Sequence, residues 1–394
     1  MPSITARTRR GATVRTVAAG TAAAGGAALG WRVVRAFGGT PSGARLERVR
    51  RSPHYADGRF HNALPSVMKT TPRLVAEWFF GTTPRRPTAP VPVDSLTPDA
   101  LAVASDDLRL TWLGHATVLI ELEGRRFLTD PVLLDDHAGP GPLGMRRFFP
   151  APVAPAALPP LDAVLVTHDH YDHLGESTVR ALAALGRTPR WVAPLGVGAR
   201  LESWGVPPDA ITELDWWEET AVAGVRLVCT PARHFSGRAL GDRDRTLWGG
   251  FAVAGARRRL YVAGDSGLTP EFVEVGARLG PFDATLIEIG AYGQGWPDIH
   301  LGPEQAVAAH QAARGGLMLP VHWATFNLAL HGWTEPAERV IVAAERAGVP
   351  LALPRPGQAV DVAAPPPVAR WWPALPWQTA EEAPIVSSGM PAGG

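Results

Sequence analysis

The chain has one cysteine and almost no excess charge of either sign. The lone thiol, Cys229, rules out an intrachain disulfide framework and any zinc site built from several cysteines. Lys and Arg total 38 against 37 Asp and Glu, so the net charge of +1 gives no electrostatic reason to expect nucleic acid. Hydrophobic residues make up 46% of the 394 positions, which is enough for a sizeable globular core.

Acidic residues are also missing from the first 46 positions. Residues 1–43 are a basic, Ala/Gly-rich segment that fits either a signal or membrane-surface anchor, or a disordered or peripheral extension. A twin-arginine signal is disfavoured because Gly11-Ala12 follows Arg9-Arg10 where apolar residues are expected. Beyond this segment no apolar run reaches membrane-spanning length. We predict a cytoplasmic protein, with membrane association and N-terminal export both left open.

Composition divides the rest of the chain into three parts. Residues 44–107 form an irregular, Pro-rich lead-in that we expect to wrap the core, and residues 364–394 form an irregular Pro/Trp-rich tail. Residues 108–363 carry the regular patterns, with strands as hairpins first and strands alternating with helices later, which predicts an α/β fold. Predicted strands are Leu110–Leu122, Arg126–Pro131, Ala163–Thr167, Arg190–Ala193, Val225–Thr230, Gly250–Ala254, Leu260–Ala263, Ala284–Ile289, Leu317–Val321 and Leu351–Leu353; predicted helices are Glu176–Leu185, Pro270–Leu279, Pro303–Ala313 and Glu335–Ala347.

The densest polar feature is the segment Thr-His-Asp-His-Tyr-Asp-His-Leu-Gly between Thr167 and Gly175. It directly follows a buried-strand pattern, so His168 and His170 point the same way as the chain leaves the strand. Asp172 and His173 then lie past a turn, where they can address a second ion. Imidazole nitrogens and carboxylate oxygens are ligands for a borderline metal such as zinc, so the segment predicts a site for two metal ions.

Two ions need further ligands, and three polar residues end apolar runs elsewhere: His234, Asp265 and His322. We assign His168, His170 and His234 to one ion. Asp172, His173 and His322 go to the other, and Asp265 bridges them because a carboxylate has two oxygens to share.

This ligand set resembles that of the metallo-β-lactamase superfamily, which implies a four-layer αβ/βα sandwich with two zinc ions at one edge; iron or manganese are alternatives. Flanking motifs resemble the branch of N-acyl-phosphatidylethanolamine-hydrolysing phospholipase D. They are Thr111-Trp-Leu-Gly-His-Ala-Thr-Val-Leu119, Leu128-Thr-Asp-Pro-Val132, Tyr171 within the metal motif, His300-Leu-Gly-Pro-Glu-Gln305 and Leu319-Pro-Val-His-Trp-Ala-Thr-Phe326. The upstream segment Gly58-Arg-Phe-His-Asn62 resembles that branch more loosely. The family usually has the pattern Phe-x-Asn-Pro, and here Ala63 replaces the proline.

The resemblance implies a zinc-dependent phosphodiesterase that releases phosphatidic acid and N-acylethanolamine, with a hydroxide held between the ions as nucleophile. Asp172 and Asp265 position the ions, and Tyr171 and His300 contact the substrate; His300 is also a candidate to protonate the leaving group. Supporting roles around the ligands are predicted for Asp130, His115 and His331.

The metal ligands alone do not choose the substrate. A metal-dependent hydrolase of another ester, such as a lactone, a β-lactam or a nucleotide phosphodiester, stays an alternative, as does a non-catalytic membrane-associated binding protein. The expected partners are a phospholipid substrate and a peripheral membrane surface, without nucleic acid. A homodimer is left open.

Overall fold

The computed structural model describes residue 26, residues 29–186 and residues 189–388. Most of the predicted N-terminal segment and the last six residues of the tail therefore lie outside the described residues. Two β-sheets dominate the described chain. The first has seven strands and the second has six.

The first sheet contains β3 (Leu108–Gly114), β4 (Thr117–Leu122), β5 (Arg125–Thr129), β8 (Ala163–Leu165), β9 (Arg190–Pro194), β10 (Ile211–Leu214) and β17 (Ala359–Asp361). The second contains β11 (Glu219–Val222), β12 (Val225–Thr230), β13 (Gly250–Ala254), β14 (Arg259–Val262), β15 (Phe282–Glu288) and β16 (Gly315–Val321). The strand order is β10-β9-β8-β5-β4-β3-β17 in the first sheet and β11-β12-β13-β14-β15-β16 in the second. Two small hairpins join β1 (Tyr55–Ala56) to β2 (Arg59–Phe60) and β6 (His137–Ala138) to β7 (Met145–Arg146).

The helices are α1 (residues 29–37), α2 (Gly43–Arg51), α3 (Pro72–Phe80), α4 (Glu176–Ala183), α5 (Gly198–Ser203), α6 (Glu271–Leu279), α7 (Pro303–Ala312) and α8 (Glu335–Ala347). Short 3₁₀ turns cover Asp99–Leu101, Pro155–Ala157 and Pro208–Ala210. Among the described residues, no helix combines the length and the apolar character needed to cross a bilayer.

The sheets face each other across a shared core, and helices cover their outer faces. Side-chain alternation along β4 explains this layering: Val118 and Ile120 join the central core, whereas Leu119 joins the cluster beneath α4 and α5. On the second sheet, α7 contacts β15 and β16 and lies between α6 and α8. Strands buried on both faces read as continuous apolar runs, which is the pattern seen in the sequence. The predicted α/β class and the four-layer sandwich are confirmed.

Several predicted elements need correction. The run Leu110–Leu122 is two strands, because the chain reverses at Gly114–Ala116 with His115 in the left-handed region at φ 54°. The segment Leu351–Leu353 is not a strand; Leu351 makes only an isolated bridge to Met318. The lead-in is less irregular than expected, since it contains α2, the β1–β2 hairpin and α3.

Candidate metal centre

The predicted ligands lie in loops that follow strands of both sheets. His168, His170, Asp172 and His173 follow β8, whereas His234, Asp265 and His322 follow β12, β14 and β16 of the second sheet. These loops meet at one edge of the sandwich and bring the predicted ligands together from four separate stretches of chain.

The ligands assigned to the first ion form one compact group. Nε2 of His168 lies 2.9 Å from Nδ1 of His170, and Nε2 of His234 lies 3.3 Å from that same nitrogen. The other ring nitrogens of His168 and His234 are held by hydrogen bonds. Nδ1 of His168 contacts the Thr167 hydroxyl at 3.0 Å, and Nδ1 of His234 contacts the Ile299 carbonyl at 3.0 Å. The three rings therefore present one nitrogen each to a common point.

The ligands assigned to the second ion also converge. Oδ2 of Asp172 lies 3.4 Å from Nε2 of His322 and 3.7 Å from Nε2 of His173. Both histidine side chains are fully buried, and the carboxylate of Asp172 is largely so.

Asp265 stands between the two groups. Its Oδ2 lies 3.1 Å from Nε2 of both His173 and His322, 3.8 Å from Nε2 of His168 and 3.7 Å from Nε2 of His234. One carboxylate oxygen thus faces ligands from both predicted sets, which is the placement that a bridging ligand requires.

The buried nitrogens test whether this cluster fits metal ions. Within the described part of the chain, Nε2 of His173 and both ring nitrogens of His322 are buried and lack a well-aligned hydrogen bond, although each Nε2 lies 3.1 Å from Oδ2 of Asp265. An unpaired buried polar atom normally costs about 1–3 kcal/mol. Imidazole and carboxylate are also the donor types that zinc and neighbouring transition metals prefer. The donor set therefore fits two divalent metal ions.

The electrostatics of the cluster favour a cation. Burial would raise the pKa of the Asp265 carboxyl, but His173 and His322 hold it well below its usual range. Burial lowers the pKa of His170 to about 4, so this ring is neutral near pH 7, the form that binds metals. Burial would also lower the pKa of His322, but Asp265 and Asp172 outweigh it and raise that pKa to about 10. A bound cation would replace this proton.

Two predicted supporting residues contact the ligands directly. Oδ2 of Asp130 accepts a hydrogen bond from Nδ1 of His173 at 2.8 Å, while the Thr167 backbone and hydroxyl donate to Asp130 at 2.7 and 2.8 Å. Nε2 of His115 lies 2.9 Å from Oδ2 of Asp172. Such contacts orient metal ligands and set their basicity.

The backbone at the site adopts uncommon conformations. His115, Asp130 and His322 have φ values of 54°, 38° and 64°, in the left-handed region that non-glycine residues rarely occupy. Hydrogen bonds hold the turns together, since His322 N donates to the His115 carbonyl at 3.0 Å and His115 N donates to the Thr325 hydroxyl at 2.7 Å. The scaffold therefore maintains local strain where the ligands are presented.

The predicted substrate contacts occupy different positions. The His300 ring lies 5.1 Å from both His234 and His322, beside the cluster. The Tyr171 hydroxyl donates to the Arg238 carbonyl at 2.5 Å, and its ring lies beneath the Arg238 guanidinium and lines a separate cavity of about 270 Å³. His331 contacts no predicted ligand through its nitrogens, which bond to the Ala291 amide and the Gly332 carbonyl.

Glu288 at the end of β15 is a site residue that the sequence reasoning missed. It is fully buried, and its Oε2 lies 2.6 Å from Nδ1 of His300 and 3.8 Å from Nδ1 of His322. The sequence does carry a signal for Glu288: like Asp265, it is a lone carboxylate at the end of an apolar strand.

This fold, with histidine and aspartate ligands at the strand ends of two facing sheets, defines a metal-dependent hydrolase of the metallo-β-lactamase class. Residues 125–323, about half of the chain, match the family described as the β-lactamase superfamily domain. The chain belongs to the metallo-β-lactamase superfamily.

Relatives refine this assignment. The chain is 46% identical to an uncharacterized protein of Mycobacterium tuberculosis over 90% of this chain and 98% of that one. It is 38% identical to N-acyl-phosphatidylethanolamine-hydrolyzing phospholipase D 1 of Caenorhabditis elegans, over 60% of this chain and 69% of the relative. Among solved structures, an isothiocyanate hydrolase from Delia radicum gut bacteria shares the fold at a TM-score of 0.50 and 21% identity, covering 64% of this chain and 98% of that one.

Proposed function

We propose that this chain is a dinuclear zinc phosphodiesterase of phospholipase D type. Its substrates would be N-acyl-phosphatidylethanolamine-like lipids, and its products phosphatidic acid and an N-acylethanolamine. The observation that carries the proposal is the position of Asp265, whose Oδ2 lies 3.1–3.8 Å from histidine nitrogens of both predicted ligand sets. Similarity to the nematode phospholipase D supports the choice of substrate.

The residues that would hold the ions are the seven named above: His168, His170, His234, Asp172, His173, His322 and Asp265. Bound zinc ions supply an activated water near neutral pH and offset charge on a phosphoryl group. Asp130 and His115 would keep His173 and Asp172 in place, since each contacts its partner within 3 Å.

His300 is the proposed contact to the phosphoryl group or the leaving oxygen. Its side chain retains 15% exposure, whereas the neighbouring side chains of His234 and His322 are fully buried. Tyr171 is proposed to guide the substrate from the neighbouring cavity with its ring, because its hydroxyl is already bonded to the Arg238 carbonyl.

A membrane surface is the proposed source of the substrate. Two helices expose large apolar side chains: Trp31 and Val34 on α1 are 61% and 64% exposed, and Phe79 and Phe80 on α3 are 71% and 84% exposed. Arg32 and Arg73 on the same helices are exposed as well. Apolar side chains next to cations favour the interface of an anionic bilayer.

Metal analysis combined with a substrate panel tests the proposal. Purified protein would be assayed with an N-acyl-phosphatidylethanolamine, a cyclic nucleotide and a lactone, with the Asp265→Asn variant as the blank. Zinc, iron and manganese would be quantified in the same samples. We expect zinc in the protein and turnover of the lipid.

Isotope labelling identifies the bond that is cleaved. In H₂¹⁸O, attack of water on phosphorus places the label in phosphatidic acid, whereas label in the N-acylethanolamine would contradict the proposal. A response to the lactone alone would overturn the lipid assignment, and a metal-free wild type without hydrolytic activity would favour a binding protein.

A further inference from the structure

We propose that Glu288 is the positioning residue for His300: it fixes the orientation of the imidazole and directs Nε2 toward the substrate. The role of His300 as a substrate contact rests on the proposed function. The geometry of Glu288 stands independently of it.

Glu288 is itself rigidly anchored. It ends β15, is fully buried, and its Oε1 accepts hydrogen bonds from the Ser266 amide at 2.6 Å and the Leu301 amide at 3.4 Å. Ser266 follows the bridging residue Asp265, and Leu301 follows His300. One carboxylate oxygen thereby connects the Asp265 loop to the His300 loop.

The second oxygen is left for His300. Oε2 lies 2.6 Å from Nδ1 of His300, slightly closer than the range of about 2.7–2.9 Å that is usual for a charge-assisted N–H···O hydrogen bond. The ring is confined further by His234 and His322, whose centroids each lie 5.1 Å away. With Nδ1 bound, Nε2 is the nitrogen of His300 that remains for a substrate. A carboxylate behind an imidazole commonly sets which nitrogen faces the reaction.

Glu288 could instead be a metal ligand, because it shares a potential ligand cluster with Asp265, His300 and His322. Its contacts argue against this role. Oε1 is committed to two backbone amides, and Oε2 is closer to His300 than to Nδ1 of His322, at 2.6 against 3.8 Å. Metal content separates the two roles experimentally.

A double-mutant cycle tests the positioning role. Glu288→Gln, His300→Ala and the double variant would be compared with wild type on the phospholipid and on a short-chain phosphodiester. We expect Glu288→Gln to lower kcat about 10- to 100-fold with KM and metal content unchanged. The double variant should be no slower than His300→Ala, because Glu288 acts through His300. Glu121→Gln serves as the control for a buried glutamate, since Glu121 lies on β4 and contacts Arg126 at 3.4 Å.

Additive losses in the cycle, or loss of metal in Glu288→Gln, would overturn the positioning role. If the wild type hydrolyses no phosphodiester, that result contradicts the proposed function but not the positioning role of Glu288. A measurement that does not depend on catalysis tests the positioning role in that case. Histidine-labelled protein should show a downfield Nδ1–H resonance that is lost in His300→Ala, which assigns it to His300 and separates it from the resonance of His173 bonded to Asp130. This resonance should move upfield in Glu288→Gln, because a neutral amide is a weaker acceptor than a carboxylate. A His300 resonance that is unchanged in Glu288→Gln, or the absence from wild type of any downfield resonance that His300→Ala removes, would contradict the contact itself.

Discussion

At the scale of single residues, Asp265 is central to the predicted metal site. Its carboxylate is buried between four histidines that come from three loops. Burial would raise its pKa, but two of these histidines, His173 and His322, hold that pKa well below its usual range. Gly264, with φ of 67°, turns the chain immediately before it, and a Cβ there would meet the Gly249 carbonyl oxygen at 2.6 Å. The position proposed for a bridging ligand therefore depends on a backbone turn as well as on a carboxylate.

Replacing Asp265 by Asn should remove most of the bound metal and nearly all hydrolysis. The amide is neutral, so it neither offsets two cations nor supplies a charged oxygen to both. Elemental analysis and turnover on the phospholipid measure the two effects. Normal metal content in a fully active variant would contradict the bridging role.

Asp130 contacts the predicted ligand His173 from the side away from the proposed metal ions. In Asp130→Asn, Nδ1 of His173 loses its charged acceptor, so metal affinity should fall about 10- to 100-fold while the fold is kept. Competition with a metal-sensitive dye gives the affinity. Asp361→Asn, an exposed residue paired with Arg109, is the control and should bind metal like wild type. Equal affinities for the two variants would rule out an orienting role for Asp130.

At the scale of secondary-structure elements, α3 packs only partly against the described structure, with Leu74 and Trp78 half-buried. None of its described residues is buried, although Thr71 caps its N-terminus by accepting a hydrogen bond from Leu74 N at 3.3 Å. A helix that is well capped and also exposes two phenylalanines is typical of a docking element.

Phe79→Ser together with Phe80→Ser should weaken binding to anionic vesicles. It should also lower hydrolysis of vesicle substrate relative to hydrolysis of a short-chain monomeric phosphodiester. The reason is that apolar area buried at the interface supplies much of such binding. Sedimentation with vesicles measures the first effect and paired assays the second. Unchanged vesicle binding would place the membrane contact elsewhere.

A second feature at this scale is a cluster of contacts around Asp298 that joins the lead-in and the tail to the loops of the site. Asp298 forms a buried ion pair with Arg233 at 3.1 Å. The same carboxylate accepts from Val67 N at 2.8 Å and from Ser388 N at 2.7 Å. The lead-in and the tail thus converge beside the loops of His234 and His300.

Asp298→Ala should destabilise the protein by about 3–5 kcal/mol, because it leaves the Arg233 guanidinium buried without its partner. Denaturant unfolding measures the change. The control, Asp361→Ala, breaks an exposed pair and should cost less than about 1 kcal/mol. A similarly small loss for Asp298→Ala would mean that the contacts of Asp298 contribute little to the free energy of unfolding.

Several elements could be predicted from sequence and others could not, for physical reasons. Strands buried on both faces, such as β12 and β15, gave clear apolar runs, and α8 had an amphipathic pattern ending at Gly348, which adopts φ of 65°. The short strands β10, β11 and β17 were missed, because most of their residues are exposed or half-buried and they lack the continuous apolar run that marks the equally short β8 and β14. The helix α3 was missed because apolar residues occupy nearly every position from Leu74 to Phe80, so the sequence shows no separate polar and apolar faces.

At the scale of the whole molecule, the two sheets meet so that one edge collects loops from both. The histidine-rich motif after β8 predicts a metal site at this edge. Because two ions need more ligands than the motif supplies, the sequence also points to His234, Asp265 and His322. The contacts behind the ligands were less accessible to sequence reasoning. The approach of Glu288 to His300 depends on how β15 and the His300 loop meet in three dimensions, as does that of His115 to Asp172.

Counting the metal ions in purified wild-type protein tests the central claim most directly. Native mass spectrometry and elemental analysis should find two ions per chain, and their removal by a chelator should abolish hydrolysis and lower the Tm, with both restored on adding zinc back. A wild-type chain that binds one ion or none at saturating zinc, or that keeps its activity after complete metal removal, would contradict the dinuclear site.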